Sequence, residues 1–166
     1  MAGKIKNRIG HLTPRYVANR TRVALYQLTH PDAPWLTPQV IQFLDQWLSA
    51  SDQGLEFGSG RSTTWFAKRV SRLTSVEHDP AWDELISQKI AAAGNTNVVY
   101  LFKPIDESAP PTQANAYAGV ASEFPDGSLD FVLVDGATRS ACALASLGKV
   151  KPGGLIIIDN ANWALP

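Results

Sequence analysis

The residues best placed to do chemistry lie in Leu55-Glu56-Phe57-Gly58-Ser59-Gly60-Arg61-Ser62-Thr63. A short apolar strand runs into two glycines and then into a helical stretch, the local pattern of a ligand loop. Gly58 can take the positive φ of a tight turn, and Gly60 lets the backbone approach a bound molecule with no Cβ in the way. The helix that follows, expected over about Arg61 to Val70, turns its unpaired N–H groups and positive dipole end toward that molecule. Glu77 closes the next strand, nineteen residues after Gly58. A carboxylate there can accept both hydroxyls of a ribose, as in glycine loops followed by an acid about 20 residues on. Taken alone, the loop is equally an ordinary strand-to-helix turn.

The elements that must position these groups follow from pattern. Apolar runs at Leu73 to Glu77, Val98 to Phe102, Leu129 to Val134 and Gly154 to Ile158 join Leu55-Glu56-Phe57 as strands. The last two end in Asp135-Gly136 and Asp159-Asn160. About five strands separated by helical stretches predict an α/β fold, doubly wound on a mostly parallel sheet, with ligand groups collected at its carboxyl edge. Asp79 caps the helix opened by Pro80, whose buried stripe is Trp82, Leu85, Ile86 and Ile90 and which Gly94 stops. Trp65, Phe66 and Val70 form the core face of the loop helix.

Two helices precede the first strand. One runs from about Thr13 to Thr29, with Tyr16, Val17, Val23, Ala24, Leu25 and Leu28 apolar, and the prolines at 31 and 34 end it. The other starts at Thr37-Pro38 and carries Val40, Ile41, Leu44, Trp47 and Leu48 as a stripe. Residues 1–53 are expected as an amino-terminal helical extension or lid, packed as one globular domain with a core over 54–166. Residues 103–128 hold four of the eleven prolines and little periodicity, which predicts the longest irregular stretch. Tyr117 within it is read as packing, with reach into the crevice as the alternative.

Composition bounds the partners. At 45% hydrophobic and 18% charged, 166 residues suffice for one real core. Net charge is zero, yet Lys4, Lys6, Arg8, Arg15, Arg20 and Arg22 all precede the first acid, Asp32. That basic arm reads as a solvated terminus, with nucleic acid as the lesser alternative. Cys142 is the only cysteine, so no intramolecular disulfide can form, and a reducing cytoplasm fits. Among small apolar neighbours it reads as an inert, packed thiol. No stretch approaches a membrane span.

In order, Glu-x-Gly-x-Gly-x-Ser, Val-Glu-His-Asp, Val-Asp-Gly and Lys-Pro-Gly-Gly-x-x-x-x-Asp-Asn resemble the nucleotide-binding half of class I S-adenosylmethionine-dependent methyltransferases, over residues 55–160. The resemblance implies a Rossmann-like core with S-adenosylmethionine as cofactor. Glu56 would hold its amino group, the Gly58-Ser59-Gly60 backbone would lie against it, and Ser62 and Thr63 would donate to its carboxylate. Glu77 would take the ribose hydroxyls, His78 would line the adenine pocket, and Asp135 would contact the cofactor. It also implies a sharper possibility. In the catechol and caffeoyl-CoA O-methyltransferases an acid after the fourth strand and an Asp-Asn pair after the fifth hold Mg²⁺, here Asp135, Asp159 and Asn160. Those families carry a lysine three residues after the first acid, whereas this chain has Thr138 there and Arg139 next. Arg139 stays protonated, so it is expected to bind an anionic substrate and not to accept a proton.

Family members usually continue past the fifth strand with two more. Their absence here predicts an open edge at Leu155-Ile156-Ile157-Ile158, arising from truncation or covered by a homodimer partner. A small-molecule methyl acceptor is the expected substrate, with transfer to oxygen as the finer expectation. Two other readings remain: a catalytically silent cofactor-binding scaffold, and an NAD-dependent oxidoreductase, against which Thr63 replaces the third glycine of the dinucleotide loop.

Overall fold

Runs of β-branched and aromatic residues set the strands. They are β1 (Gln53–Phe57), β2 (Arg72–Glu77), β3 (Val98–Phe102), β4 (Leu129–Val134) and β5 (Val150–Ile158). In this computed structural model, which describes residues 14–105 and 116–161, they form one sheet of order β3-β2-β1-β4-β5 with every neighbouring pair parallel. The predicted doubly wound sheet is therefore present. Its strand order reverses between β1 and β4, and crevices in such sheets open at that point, beyond the carboxyl ends of the strands.

The chain forms two compact units, residues 1–46 and 47–166. In the first, α1 (Pro14–Thr29) leads into a turn where Gln27 Nε2 donates to Pro34 O at 2.6 Å. Of the apolar positions that gave α1 its loose helical pattern, Val17, Leu25 and Leu28 are exposed. α2 (Pro38–Trp47) starts as predicted, with Thr37 Oγ1 accepting from Val40 N at 3.4 Å, and it buries Ile41 and Leu44. Lys4, Lys6 and Arg8 lie outside the described residues.

In the second unit, α3 (Arg61–Ala67) and α4 (Pro80–Ala92) link β1 to β2 and β2 to β3, while α5 (Ala116–Gly119) and α6 (Arg139–Ser146) flank β4 in sequence. Right-handed crossovers running in opposite directions from the switch point place the two pairs on opposite faces. Side-chain alternation along β1 shows both faces. Leu55 and Phe57 join Tyr117, Val132, Val134 and Cys142 in one cluster, whereas Gly54 lies under the Phe131 ring, which stacks on Phe66 at 4.7 Å.

Several boundaries differ from expectation. α3 ends at Ala67, before Val70, because Asn97 Nδ2 captures the carbonyls of Ala67 and Val70 at 2.8 Å each. β5 begins four residues early, at Val150, where Gly154 allows it to pass against the Asp130 carbonyl. On α4, Ile86 and Ile90 are buried but Trp82 and Leu85 are exposed. Within the stretch expected to be irregular, α5 and a 3₁₀ turn (Val120–Glu123) bury Tyr117, Ala118, Val120 and Ala121. Such single turns are too short to leave a periodic signal. Among the described residues no strand pairs with the outer edge of β5, and no helix is long and apolar enough to cross a membrane.

Candidate functional site

Parallel pairing brings the strand tips together. Gly58 N donates to Val76 O at 2.9 Å, and Asp135 N and Gly136 N both donate to Phe57 O, at 2.9 and 2.7 Å. The tips of β2, β1 and β4 are thus stitched side by side. A Cβ on Gly58, whose φ is +94°, would lie 2.5 Å from Gly136 N. The two loops touch backbone to backbone, which only glycine allows. Gly60 differs: its backbone is extended, and a Cβ there would meet only Ser62 Oγ, at 3.9 Å. Open space beside Gly60 is what a ligand lying along the loop requires.

Glu56 is wholly buried, and strand register sets it beside Ser75. Its Oε2 accepts from Thr63 Oγ1 and Ser75 Oγ, both at 2.6 Å, while its Oε1 has no partner in hydrogen-bond geometry, although the Ser62 hydroxyl stands close enough to act on the carboxyl. Burial pushes this carboxyl up to about 7, against the opposing pull of the Ser62, Ser75 and Thr63 hydroxyls and with a further push from the Glu77 charge. Thr63 also accepts from Gly60 N at 2.9 Å, so its hydroxyl is committed within the loop.

Glu77 holds that loop from the other side. Oε2 accepts from Ser59 N at 3.0 Å, and Oε1 from His78 N and Asp79 N at 2.7 and 2.9 Å. His78 Nδ1 lies 3.0 Å from the same Oε1. Burial raises the Glu77 pKa, but these contacts outweigh it and hold the carboxyl below its usual range. Ser59 Oγ meets Ser75 Oγ at 2.8 Å, and Ser59 O accepts from Trp82 Nε1 at 2.6 Å. Sequence reasoning missed Trp82 and Ser75 as supports of the loop. The one visible signal was a run of polar residues, Thr74-Ser75, inside an apolar strand.

At the β4 and β5 tips, Arg139 works as a clamp. Its guanidinium donates to Asp159 O and Asp135 O at 2.6 Å each, to Gly136 O at 2.9 Å and to Asp135 Oδ1 at 3.1 Å. Most of its donors are spent on backbone carbonyls. Burial pushes the Asp135 carboxyl up to about 7, with the Asp159 charge adding to the rise and Arg139 opposing it. Asn160 Nδ2 donates to Asp159 Oδ2. Asp135, Asp159 and Asn160 do come together, but they do not fit a metal centre. The guanidinium already pairs with the Asp135 carboxylate at 3.1 Å, and no group of three His, Cys, Asp or Glu able to hold an ion exists among the described residues. Cys142 is buried with its thiol pushed up to about 11 by burial, an inert group as expected.

The structure therefore brings Glu56, Gly58, Ser59, Gly60, Ser62, Thr63, Glu77, His78 and Asp135 into one region at the switch point, with Arg139, Asp159 and Asn160 beside it. A glycine loop and buried acids gathered at the switch point of an α/β sheet form the arrangement at which such sheets bind ligands. Residues 55–161 match the family described as a methyltransferase domain, a span of more than half the chain, and the chain belongs to that family.

Solved structures agree in fold. The O-methyltransferase TomG from Streptomyces achromogenes, solved with S-adenosylmethionine, superposes with a TM-score of 0.59 at 19% identity, over 86% of this chain and 65% of that one. A methyltransferase-like protein from Silicibacter pomeroyi gives 0.58 at 24%, over 77% and 73%. A methyltransferase from Thiobacillus denitrificans, solved with S-adenosyl-L-homocysteine, gives 0.50 at 20%, over 74% and 48%. The chain thus spans less than two-thirds of the length of the first and third of these. No curated protein matches it in sequence.

Proposed function

We propose that this chain binds S-adenosylmethionine along the Gly58 to Gly60 loop and transfers its methyl group to an oxygen of a small molecule. The observation that carries the reading is Glu56. A wholly buried carboxyl whose second oxygen lacks a partner in hydrogen-bond geometry is an acceptor kept for a cationic group, and the cofactor's ammonium is such a group. The open space beside Gly60 and the family membership support it, as does the O-methyltransferase likeness of fold.

When bound, the cofactor supplies an electrophilic methyl on sulfur. The residues align and desolvate, and orientation of this kind is worth about 7 to 11 kcal/mol. Asp135, with its carboxyl near 7, accepts the proton of the acceptor hydroxyl, and Arg139 positions Asp135 and stabilises its ionised form. Metal dependence is not part of this reading. Calorimetric titration tests it: S-adenosylmethionine and S-adenosylhomocysteine should give binding heat, unchanged by EDTA, and NAD should give none. Heat with NAD alone would favour the oxidoreductase, silence with all three would remove both cofactor readings, and heat with S-adenosylmethionine without methyl transfer to any acceptor would favour the catalytically silent scaffold.

A further inference from the structure

Tyr117 is the largest fully buried side chain among the described residues, and its hydroxyl has no hydrogen-bond partner. It is not confined to the interior of the apolar cluster. Its ring meets Phe57 at 5.3 Å and the His78 ring edge-on at 5.4 Å. Its hydroxyl sits so close to Gly136 that a Cβ on that glycine would lie 2.1 Å from it. Gly136 in turn packs on Gly58. The oxygen therefore stands against the stitched β1 and β4 tips, among residues of the proposed cofactor site.

A buried hydroxyl without a partner is costly, and a phenylalanine at the same place would pack as well without that cost. Glu77 adds a second reason to look for a ligand partner. Its Oε1 is saturated by two backbone N–H groups, and its Oε2 already takes one. It has little capacity left for two ribose hydroxyls, so the nucleoside needs another polar contact nearby.

We infer that the Tyr117 hydroxyl is a cofactor-binding donor, satisfied by an acceptor atom of the bound nucleoside. Burial, reinforced by the neighbouring Cys142 and the acids Glu77, Glu56 and Asp135, holds the phenol protonated well above its ordinary value, which keeps it a donor. The inference rests on the methyltransferase reading and adds a residue to it.

Tyr117→Phe separates this role from packing, because the ring stays and only the oxygen is removed. The expected result is a Kd for S-adenosylhomocysteine raised about tenfold, roughly 1.4 kcal/mol, with the melting temperature of the unliganded variant equal to wild type or higher. A buried ring that merely fills space would show the same stability change with no change in Kd, and that outcome overturns the inference while leaving the methyltransferase reading intact. Failure of the wild-type chain itself to bind S-adenosylhomocysteine would overturn both.

Discussion

Glu77 shows how far one carboxylate can serve two ends. It ties the glycine loop to the start of α4 by accepting from three backbone N–H groups of Ser59, His78 and Asp79. Glu77→Ala is therefore expected to lower unfolding free energy by about 3 kcal/mol in urea titration, since those donors lose their acceptor, besides weakening S-adenosylhomocysteine. Glu56 is coupled to ligand through protons. With its carboxyl near 7, it must ionise to pair with the ammonium, so affinity should fall as pH drops from about 8 to 5, by up to tenfold per unit. In Glu56→Gln that slope should disappear and affinity at pH 8 should drop, both readable by calorimetry. Glu77 was legible as a candidate from its spacing to the glycines, and Glu56 from the family resemblance. Their partners were not, because Ser59, Ser75 and Trp82 reach them through strand register and helix docking.

The same division holds for elements. β3 and β4 run over the residues that hydrophobic patterning predicts, and Asp79 caps α4 through Ala81 N and Trp82 N at 2.9 Å each. Apolar runs and caps are local, so one sequence suffices to read them. The end of α3 depends instead on Asn97, thirty residues beyond Ala67, and α5 on tertiary burial. The two loop glycines looked alike in sequence and differ in space. Gly58→Ala should cost at least about 2 kcal/mol of stability, through its positive φ and the Gly136 backbone behind it. Gly60→Ala should leave the melting temperature within a degree or two and weaken S-adenosylhomocysteine, because its Cβ would point into open space. Equal loss of stability in both would show that the loop has no ligand-facing side.

For the molecule as a whole, buried acids of opposite habit shape stability against pH. Glu56 and Asp135 have folded pKa values of about 7, raised from 4.5 and 3.8. A raised acid favours the fold while protonated, and its contribution is lost as pH climbs toward 7, by about 3 kcal/mol for the fully buried Glu56. Glu77, lowered from 4.5, works the other way, and its contribution is lost as pH falls below that value. The unliganded protein should therefore be most stable near pH 5 and decline toward 7.5, and thermal melts across that range should show the decline shrink in Glu56→Gln. A maximum at pH 8 would contradict the burial of both acids.

Gly54 and Phe131 carry a consequence for how such a chain can diverge. The aromatic ring of one strand occupies the place where its neighbour's side chain would begin, with its Cζ 2.1 Å from a Cβ that is not there. Enlarging the first position alone evicts the ring, and shrinking the second alone leaves a hole beside Phe66. The pair can drift only in tandem, so Gly54→Ala with Phe131→Leu should be tolerated better than the sum of its halves. Descendants of this chain are expected to trade bulk between those two sites, never to gain it at both.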